Sequence, residues 1–220
     1  MEKLSQPIED YLKTIYMLRE REGTASTSTI AAVLEVTPAS VTGMMKKLAE
    51  LKLVRHVPYQ GVELTKPGEK IALEMVRHHR LLELFLIEVL DYSWDEVHAE
   101  ADMLEHVISE KFEERMAGRL GYPAVDPHGD PIPARDGTLR ALKERALLSL
   151  QAGESAQITH INDTSSEMLR YAASLGLTPA TRLKLVEVEP FGGSLRVKIG
   201  KTEQAVGREL AAQIFVTDRT

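Results

Sequence analysis

Ile8, Tyr11, Leu12, Ile15, Tyr16 and Leu18 recur at helical spacing, with Pro7 near the start and Gly23 at the end, and predict a helix over residues 5–22. A second helix is predicted over 27–34, with Ile30, Val33 and Leu34 inward. A third begins at Thr37-Pro38, an N-cap followed by proline in the first turn, and carries Val41, Met44, Met45, Leu48 and Leu51 on its apolar side. The period then shortens. Val54-Arg55-His56-Val57 and Val62-Glu63-Leu64 read as two short strands joined across residues 58–61. Helix, helix, turn, helix and hairpin is the order of a winged helix-turn-helix domain.

Thr65-Lys66-Pro67-Gly68 opens a long helix to about residue 90, with Ile71, Met75, Leu82 and Phe85 inward. Tyr92-Ser93-Trp94-Asp95 breaks it, and Ser93 is placed to cap a further helix reaching about residue 119. Helices of this length expose more apolar side chain than a small DNA-binding domain covers, so a homodimer is expected. Beyond a stretch rich in proline and glycine (121–133), a shorter helix is predicted over 136–144. From residue 156 the pattern becomes short β-like runs over 157–161, 183–188, 195–199 and 213–216, with a short helix over 166–175. Runs of this kind suggest a small barrel. The fold expected is mainly α with a small β domain, divided as 1–73 (winged helix-turn-helix), 74–145 (helical dimerisation and metal binding) and 146–220 (barrel).

Composition narrows the chemistry. The chain has 220 residues, 43% hydrophobic and 27% charged, as ordinary soluble proteins do, and no cysteine, which excludes disulfides and thiolate metal sites. The start lacks the apolar core of a signal peptide, and the longest apolar run, 81–90, is too short for a bilayer and contains Glu83 and Glu88. A cytoplasmic protein without membrane partners is expected. The net charge of −6 is unevenly spread. Between residues 36 and 70, Lys46, Lys47, Lys52, Arg55, Lys66 and Lys70 outnumber Glu50, Glu63 and Glu69, whereas between 81 and 130 thirteen carboxylates face Lys111, Arg115 and Arg119. One segment suits a polyanion and the next suits cations.

The third helix gives the basic segment its use. Thr37, Pro38, Ala39, Ser40, Thr42 and Gly43 make a slim, hydroxylated leading end, and Lys46 and Lys47 follow. A slim end can enter the major groove of double-stranded DNA while lysines meet phosphate. Tyr59 and Gln60, at the hairpin tip, complete the candidate DNA contacts. A small helical bundle that binds a protein is the competing reading.

In the acidic segment, His98, Asp102, Glu105 and His106 fall on one side of the predicted helix, and His79 and Glu83 repeat the i, i+4 spacing upstream. Imidazole and carboxylate from two helices suit a divalent cation; surface ion pairs at chance spacing are the alternative. His78 reads as solvated, His128 as a support of the proline loop, His160 as remote from any acidic cluster, and Glu88, Glu113 and Glu114 as a charged helix face. Met44, Met45, Met75 and Met103 read as packing.

Asp10-Tyr11-Leu12, His79-Arg80-Leu81-Leu82-Glu83, His98 through Glu105-His106, and Pro127-His128-Gly129-Asp130-Pro131-Ile132-Pro133 together resemble the diphtheria toxin repressor and manganese transport regulator family of metal-dependent transcriptional regulators. The C-terminal part, with Gly176-Leu177-Thr178-Pro179, is similar to the SH3-like barrel shared with ferrous-transport accessory domains. The resemblance implies a repressor of metal-uptake genes that binds a palindromic operator as a metal-loaded dimer, with no small-molecule substrate. It implies a primary metal site of Asp10, Asp102, Glu105 and His106, and an ancillary site of His79, Glu83 and His98 with Glu167 contributing from the barrel.

Asp10 and Asp102 stand where the iron-sensing branch carries methionine and cysteine. Carboxylates there make the site harder and favour Mn(II), with Fe(II) second. Lys13 stands where the manganese branch carries a glutamate, which speaks against a closely bridged pair of manganese ions, and Gly43 where the iron branch carries a glutamine. Two other classes remain open: a metal-dependent hydrolase, against which no placed nucleophile accompanies the ligands, and a metal-independent winged-helix regulator.

Overall fold

The computed structural model describes residues 4–57, 61–162 and 165–218. Its contacts divide them into two compact units, one drawn from Met1–His79, Leu104–Ser109 and Pro133–Thr138, the other from Arg80–Met103, Glu110–Ile132 and Leu139–Thr220.

In the first unit, α1 (Gln6–Glu22), α2 (Thr27–Val33) and α3 (Pro38–Glu50) precede the antiparallel hairpin of β1 (Val54–Val57) and β2 (Gly61–Leu64). The apolar faces named above meet in one core of Ile8, Leu12, Ile15, Ile30, Val41, Leu48 and Val62, all buried. Ser26 caps α2 through Thr29 N and Thr37 caps α3 through Ser40 N, so both helices start where short hydroxylated side chains can satisfy their leading amides. The hairpin is that of a winged helix-turn-helix. Pro58, Tyr59 and Gln60 lie outside the described residues.

The long helix α4 (Lys66–Leu90) begins in the first unit and ends in the second. The single helix expected up to residue 119 is in fact two, α5 (Val97–Leu104) and α6 (Glu110–Arg119). The interruption has identifiable causes. The Glu105 carbonyl lies 3.1 Å from the His78 ring rather than continuing a helical ladder. Val107 and Ile108 are β-branched, and Ser109 precedes the first residue of α6, a position where serine favours a helix start.

No helix forms over 136–144. The Asp136 carboxylate accepts the Thr138 amide at 2.8 Å, Gly137 takes φ 84°, and Ala134 N donates to Thr138 O. This local turn outcompetes a short amphipathic pattern.

The remainder of the second unit is a six-stranded antiparallel sheet. Its strands are β3 (Arg145–Ala146), β4 (Ser155–Ile161), β5 (Arg182–Val188), β6 (Leu195–Ile199), β7 (Thr202–Val206) and β8 (Ile214–Thr217), ordered β3-β8-β4-β5-β6-β7. Helices α7 (Ser166–Ser174) and α8 (Arg208–Ala212) join its core around Ile158, Ile161, Leu169, Leu185, Val197 and Ile214. β3 and β7 are unpaired edges among the described residues, so the SH3-like domain is an open sheet and not the closed barrel expected.

The loop before this sheet is tied to it at Gly129. Gly129 has φ 94°, and a Cβ there would lie 2.0 Å from the Thr159 carbonyl oxygen, so only glycine permits the approach. Beside it, Ile161 N donates to the His128 carbonyl.

Candidate metal centres and nucleic-acid interface

Within the first unit, the apolar face of α1 is buried, and its next face turns Glu9, Asp10 and Lys13 toward the interruption after α5. Asp10, Glu105 and His106 each offer one donor atom within 4.8 Å of the others. His106 Nε2 stands 2.8 Å from Asp10 Oδ1 and 3.6 Å from Glu105 Oε1. On the far side of the same ring, Nδ1 lies 2.8 Å from Glu9 Oε2. Glu9 can thus accept the Nδ1 proton and leave Nε2 as the donor that faces the group, the usual support for a ligand imidazole.

His79 joins the same neighbourhood, its Nδ1 2.6 Å from Glu105 Oε2, and Lys13 Nζ donates to both Glu105 oxygens. Glu105 is nearly inaccessible, and Asp10 is half-buried. Burial raises the pKa of Asp10, aided by the charge of Glu105 and opposed by His106 and Lys13. Glu9, Asp10 and Glu105 thus bring three carboxylates together beside the Lys13 ammonium, a net negative charge that suits a dication.

The second unit holds another group. Glu83, Asp126 and His128, all buried, also offer donors within 4.8 Å of one another. Glu83 Oε1 lies 3.2 Å from His98 Nδ1, and Glu83 Oε2 lies 3.7 Å from His128 Nδ1. Asp126 is shaped by its own loop: its Oδ1 accepts the amides of His128 and Asp130 at 2.8 and 2.9 Å, and Arg80 stands 3.5 Å from its Oδ2. Burial pushes the Asp126 carboxyl well above its ordinary range, with Asp130 and Glu83 adding to the rise and Arg80 and His128 opposing it. Carboxylates and imidazoles gathered so, with no sulfur among them, suit a hard dication.

Within the first unit Asp10, Glu105, His106 and His79 meet; within the second Glu83 and His98 meet, and His98 Nε2 also stands 3.6 Å from Asp102 Oδ2. The single helical face expected to carry 98, 102, 105 and 106 does not exist, because the helix ends at Leu104. Glu167, exposed in the first turn of α7, joins none of the donor groups found among the described residues.

Sequence reasoning missed Glu9, Asp126 and His128. Glu9 adjoins Asp10, and Asp126 and His128 flank Pro127, but neither spacing advertises convergence in a loop. Other bland readings also change. His78 is buried against the Glu105 carbonyl, Glu113 is buried, and His160 Nδ1 lies 2.9 Å from Glu144 Oε2 while its ring stacks on Phe215.

On α3, Thr37, Pro38, Ala39, Ser40, Thr42, Gly43, Lys46 and Lys47 are all exposed, opposite buried Val41 and Leu48. A Cβ on Gly43 would meet nothing within 4 Å, so no packing inside the protein requires glycine there. On the hairpin, Arg55 is held by Glu63 at 2.7 Å, which offsets part of the wing's positive charge. Tyr59 and Gln60 are outside the described residues. No helix among the described residues is long and apolar enough to cross a membrane.

Three family models match in sequence order: the iron-dependent repressor N-terminal DNA-binding domain over residues 3–62, the iron-dependent repressor metal-binding and dimerisation domain over 65–134, and the FeoA domain over 145–218. The iron-dependent repressor IdeR of Mycobacterium tuberculosis (strain H37Rv) is 32% identical over 228 residues, covering 98% of this chain and 99% of its own. The transcriptional regulator MntR of Bacillus subtilis (strain 168) is 36% identical over 115 residues, 52% of this chain and 80% of its own. A solved structure of a manganese-dependent transcriptional repressor in complex with manganese superposes with a TM-score of 0.88 at 37% identity, covering 96% of this chain and 99% of that one. These relatives are repressors, not enzymes. With a reading helix exposed on the winged domain, a dimerisation domain matched after it and donor groups suited to a divalent metal, the chain belongs to the diphtheria toxin repressor and MntR family and is a metal-dependent transcriptional repressor.

Proposed function

We propose that the metal is Mn(II), with Fe(II) second, and that the metal-loaded homodimer binds a palindromic operator and represses metal-uptake genes. The observation that carries this reading is the donor set Asp10, Glu105 and His106, oxygen and imidazole throughout, with Glu9 holding the far side of the imidazole. Such donors favour a hard ion by ligand type, whereas affinity alone would favour the later metals. Residues 1–73 are assigned to reading DNA, 74–145 to dimerisation and metal binding, and 146–220 to the SH3-like domain. The ligands are assigned as Asp10, Glu105 and His106, with His79 beside them, for the primary centre. Glu83, Asp126, His128 and His98, with Asp102 beside His98, are assigned to the ancillary one.

Asp10 sits on α1, whose other face packs in the same core as α3, while Glu105 and His106 sit on the segment between α5 and α6. A bound dication supplies the positive charge that lets these carboxylates share one small volume. Without it Lys13 is the countercharge to Glu105 and His106 the partner of Asp10, a weaker tie between α1 and that segment than a dication gripping all three ligands. The metal-loaded arrangement is favoured only as far as the ligands bind better in it. Converting a mostly incompetent population into a mostly competent one takes roughly 5.5 kcal/mol of differential binding. On α3, Lys46 and Lys47 then meet phosphate and the slim end from Ala39 to Gly43 enters the groove.

Operator binding titrated in parallel with Mn(II), Fe(II) and Zn(II), against a chelator control, tests the proposal. Activation by Mn(II) at the lowest free concentration relative to its availability is expected. Binding unchanged by chelator would overturn it.

A further inference from the structure

The primary donor group already contains a cation of its own. Lys13 Nζ donates to Glu105 Oε1 at 2.9 Å and to Oε2 at 2.7 Å, and it lies 2.9 Å from His79 Nδ1. The Glu105 side chain is 1% exposed and that of Lys13 13% exposed, so water does little to satisfy either charge. A buried carboxylate needs a countercharge, and here the ammonium provides it by gripping both oxygens of the ligand that sits between His79 and His106.

We propose that Lys13 is a tethered competitor of the metal. Its ammonium holds Glu105 in the metal-free protein and must release Glu105 for a dication to bind, so Lys13 sets the metal concentration at which the primary centre fills. The inference rests on the reading of Asp10, Glu105 and His106 as that centre. A dication about 4 Å from a fixed ammonium, at an effective dielectric of about 20, meets a repulsion equivalent to several powers of ten in affinity. Lys13 avoids that by moving. Its flexible four-carbon stem carries a compact charge that can exchange Glu105 for solvent, which a rigid, forked guanidinium does less readily. The observed affinity for metal is then the intrinsic affinity reduced by the stability of the Lys13–Glu105 pair. The pair gives the metal-free site a defined, charge-balanced state instead of bare repulsion among Asp10, Glu105 and Glu9.

The test is Mn(II) affinity of the full-length protein by calorimetry or by EPR of the free ion, with Asp10→Ala marking which binding phase belongs to the primary centre. Lys13→Met keeps the stem and removes the charge. It is expected to tighten that phase at least tenfold while lowering the thermal midpoint of the metal-free protein and leaving that of the Mn(II)-loaded protein near wild type. Lys13→Arg keeps a cation and is expected to bind no more tightly than wild type. Lys13→Gln, whose amide can still donate to Glu105, replaces the methionine variant if the latter fails to fold, and the same tightening is expected. A folded neutral variant that binds Mn(II) no more tightly than wild type overturns the role of Lys13 and leaves the centre standing. Absence of any phase sensitive to Asp10→Ala in the wild type overturns the centre itself, and Lys13 with it.

Discussion

Around Glu105 in the first unit, a buried carboxylate is met by a lysine ammonium and two imidazoles, and its neighbour Asp10 is only half-buried. Around Glu83 in the second unit, a fully buried carboxylate faces His98, His128 and Asp126, and the Arg80 guanidinium is spent on Asp126 and Asp130. Both groups have the donors for a dication, but they manage the metal-free state differently. The first uses a movable charge on a flexible side chain. The second uses a loop whose amides grip one oxygen of Asp126, and its burial drives that carboxyl toward the neutral form. The first should therefore respond sharply to metal and the second should act as a preformed, stabilising site.

The largest effect is expected from the first group. Asp10→Ala should leave a folded dimer by size-exclusion chromatography and lower metal-dependent operator affinity at least about a hundredfold, the scale of a lost ligand with its support. Unaltered affinity in excess Mn(II) would remove Asp10 from the switch. Glu83→Gln should be milder: loss of one class of bound Mn(II) in equilibrium dialysis, with operator affinity reduced about tenfold. Equal damage from both substitutions would erase the distinction between the two groups.

The raised carboxyl of Asp126 gives a sharper test. A carboxyl whose folded-state pKa lies above its unfolded value contributes stability below the unfolded pKa and loses it as pH rises through the folded one. The metal-free protein should thus become less stable as pH climbs through that range, and Asp126→Asn should flatten the trend. The amide keeps an acceptor for the His128 and Asp130 amides, so a gain of about 1 kcal/mol at neutral pH is expected in metal-free denaturant titrations. A steeper pH dependence would mean that Arg80 dominates Asp126 after all.

The smallest effect concerns the reading helix. Gly43→Ala should stabilise α3 by about 0.5–1 kcal/mol, because the added methyl meets nothing and the unfolded chain loses freedom. Operator affinity should nevertheless fall a few fold if DNA approaches that face. A stability gain with full affinity would place the DNA elsewhere.

Much of this was legible beforehand. The 3.6-residue periodicity of α1, α3 and α4 and the β-like runs of β4, β5, β6 and β8 matched elements within a few residues, because each carries an apolar face long enough to outweigh local alternatives. Failures came where local and tertiary terms were close. The pattern over 136–144 lost to a turn led by Asp136, and the helix through 105–109 gave way where the Glu105 carbonyl found His78. β7 and α8 were missed because Thr202–Val206 and Arg208–Ala212 carry too few apolar residues to declare a period.

From the chain alone came the kind of chemistry: hard donors without thiols, a basic reading helix beside an acidic segment, and the family. Which donors share a site was decided by folding. Spacing along a helix ranks neighbours only while the helix continues, and α5 stops at Leu104, one residue before Glu105. Glu9, Lys13, Asp126 and His128 acquire their roles from segments far away in sequence, through burial that makes each charge seek a partner. No periodicity could announce that, since it depends on which water-excluding surfaces the chain closes around them.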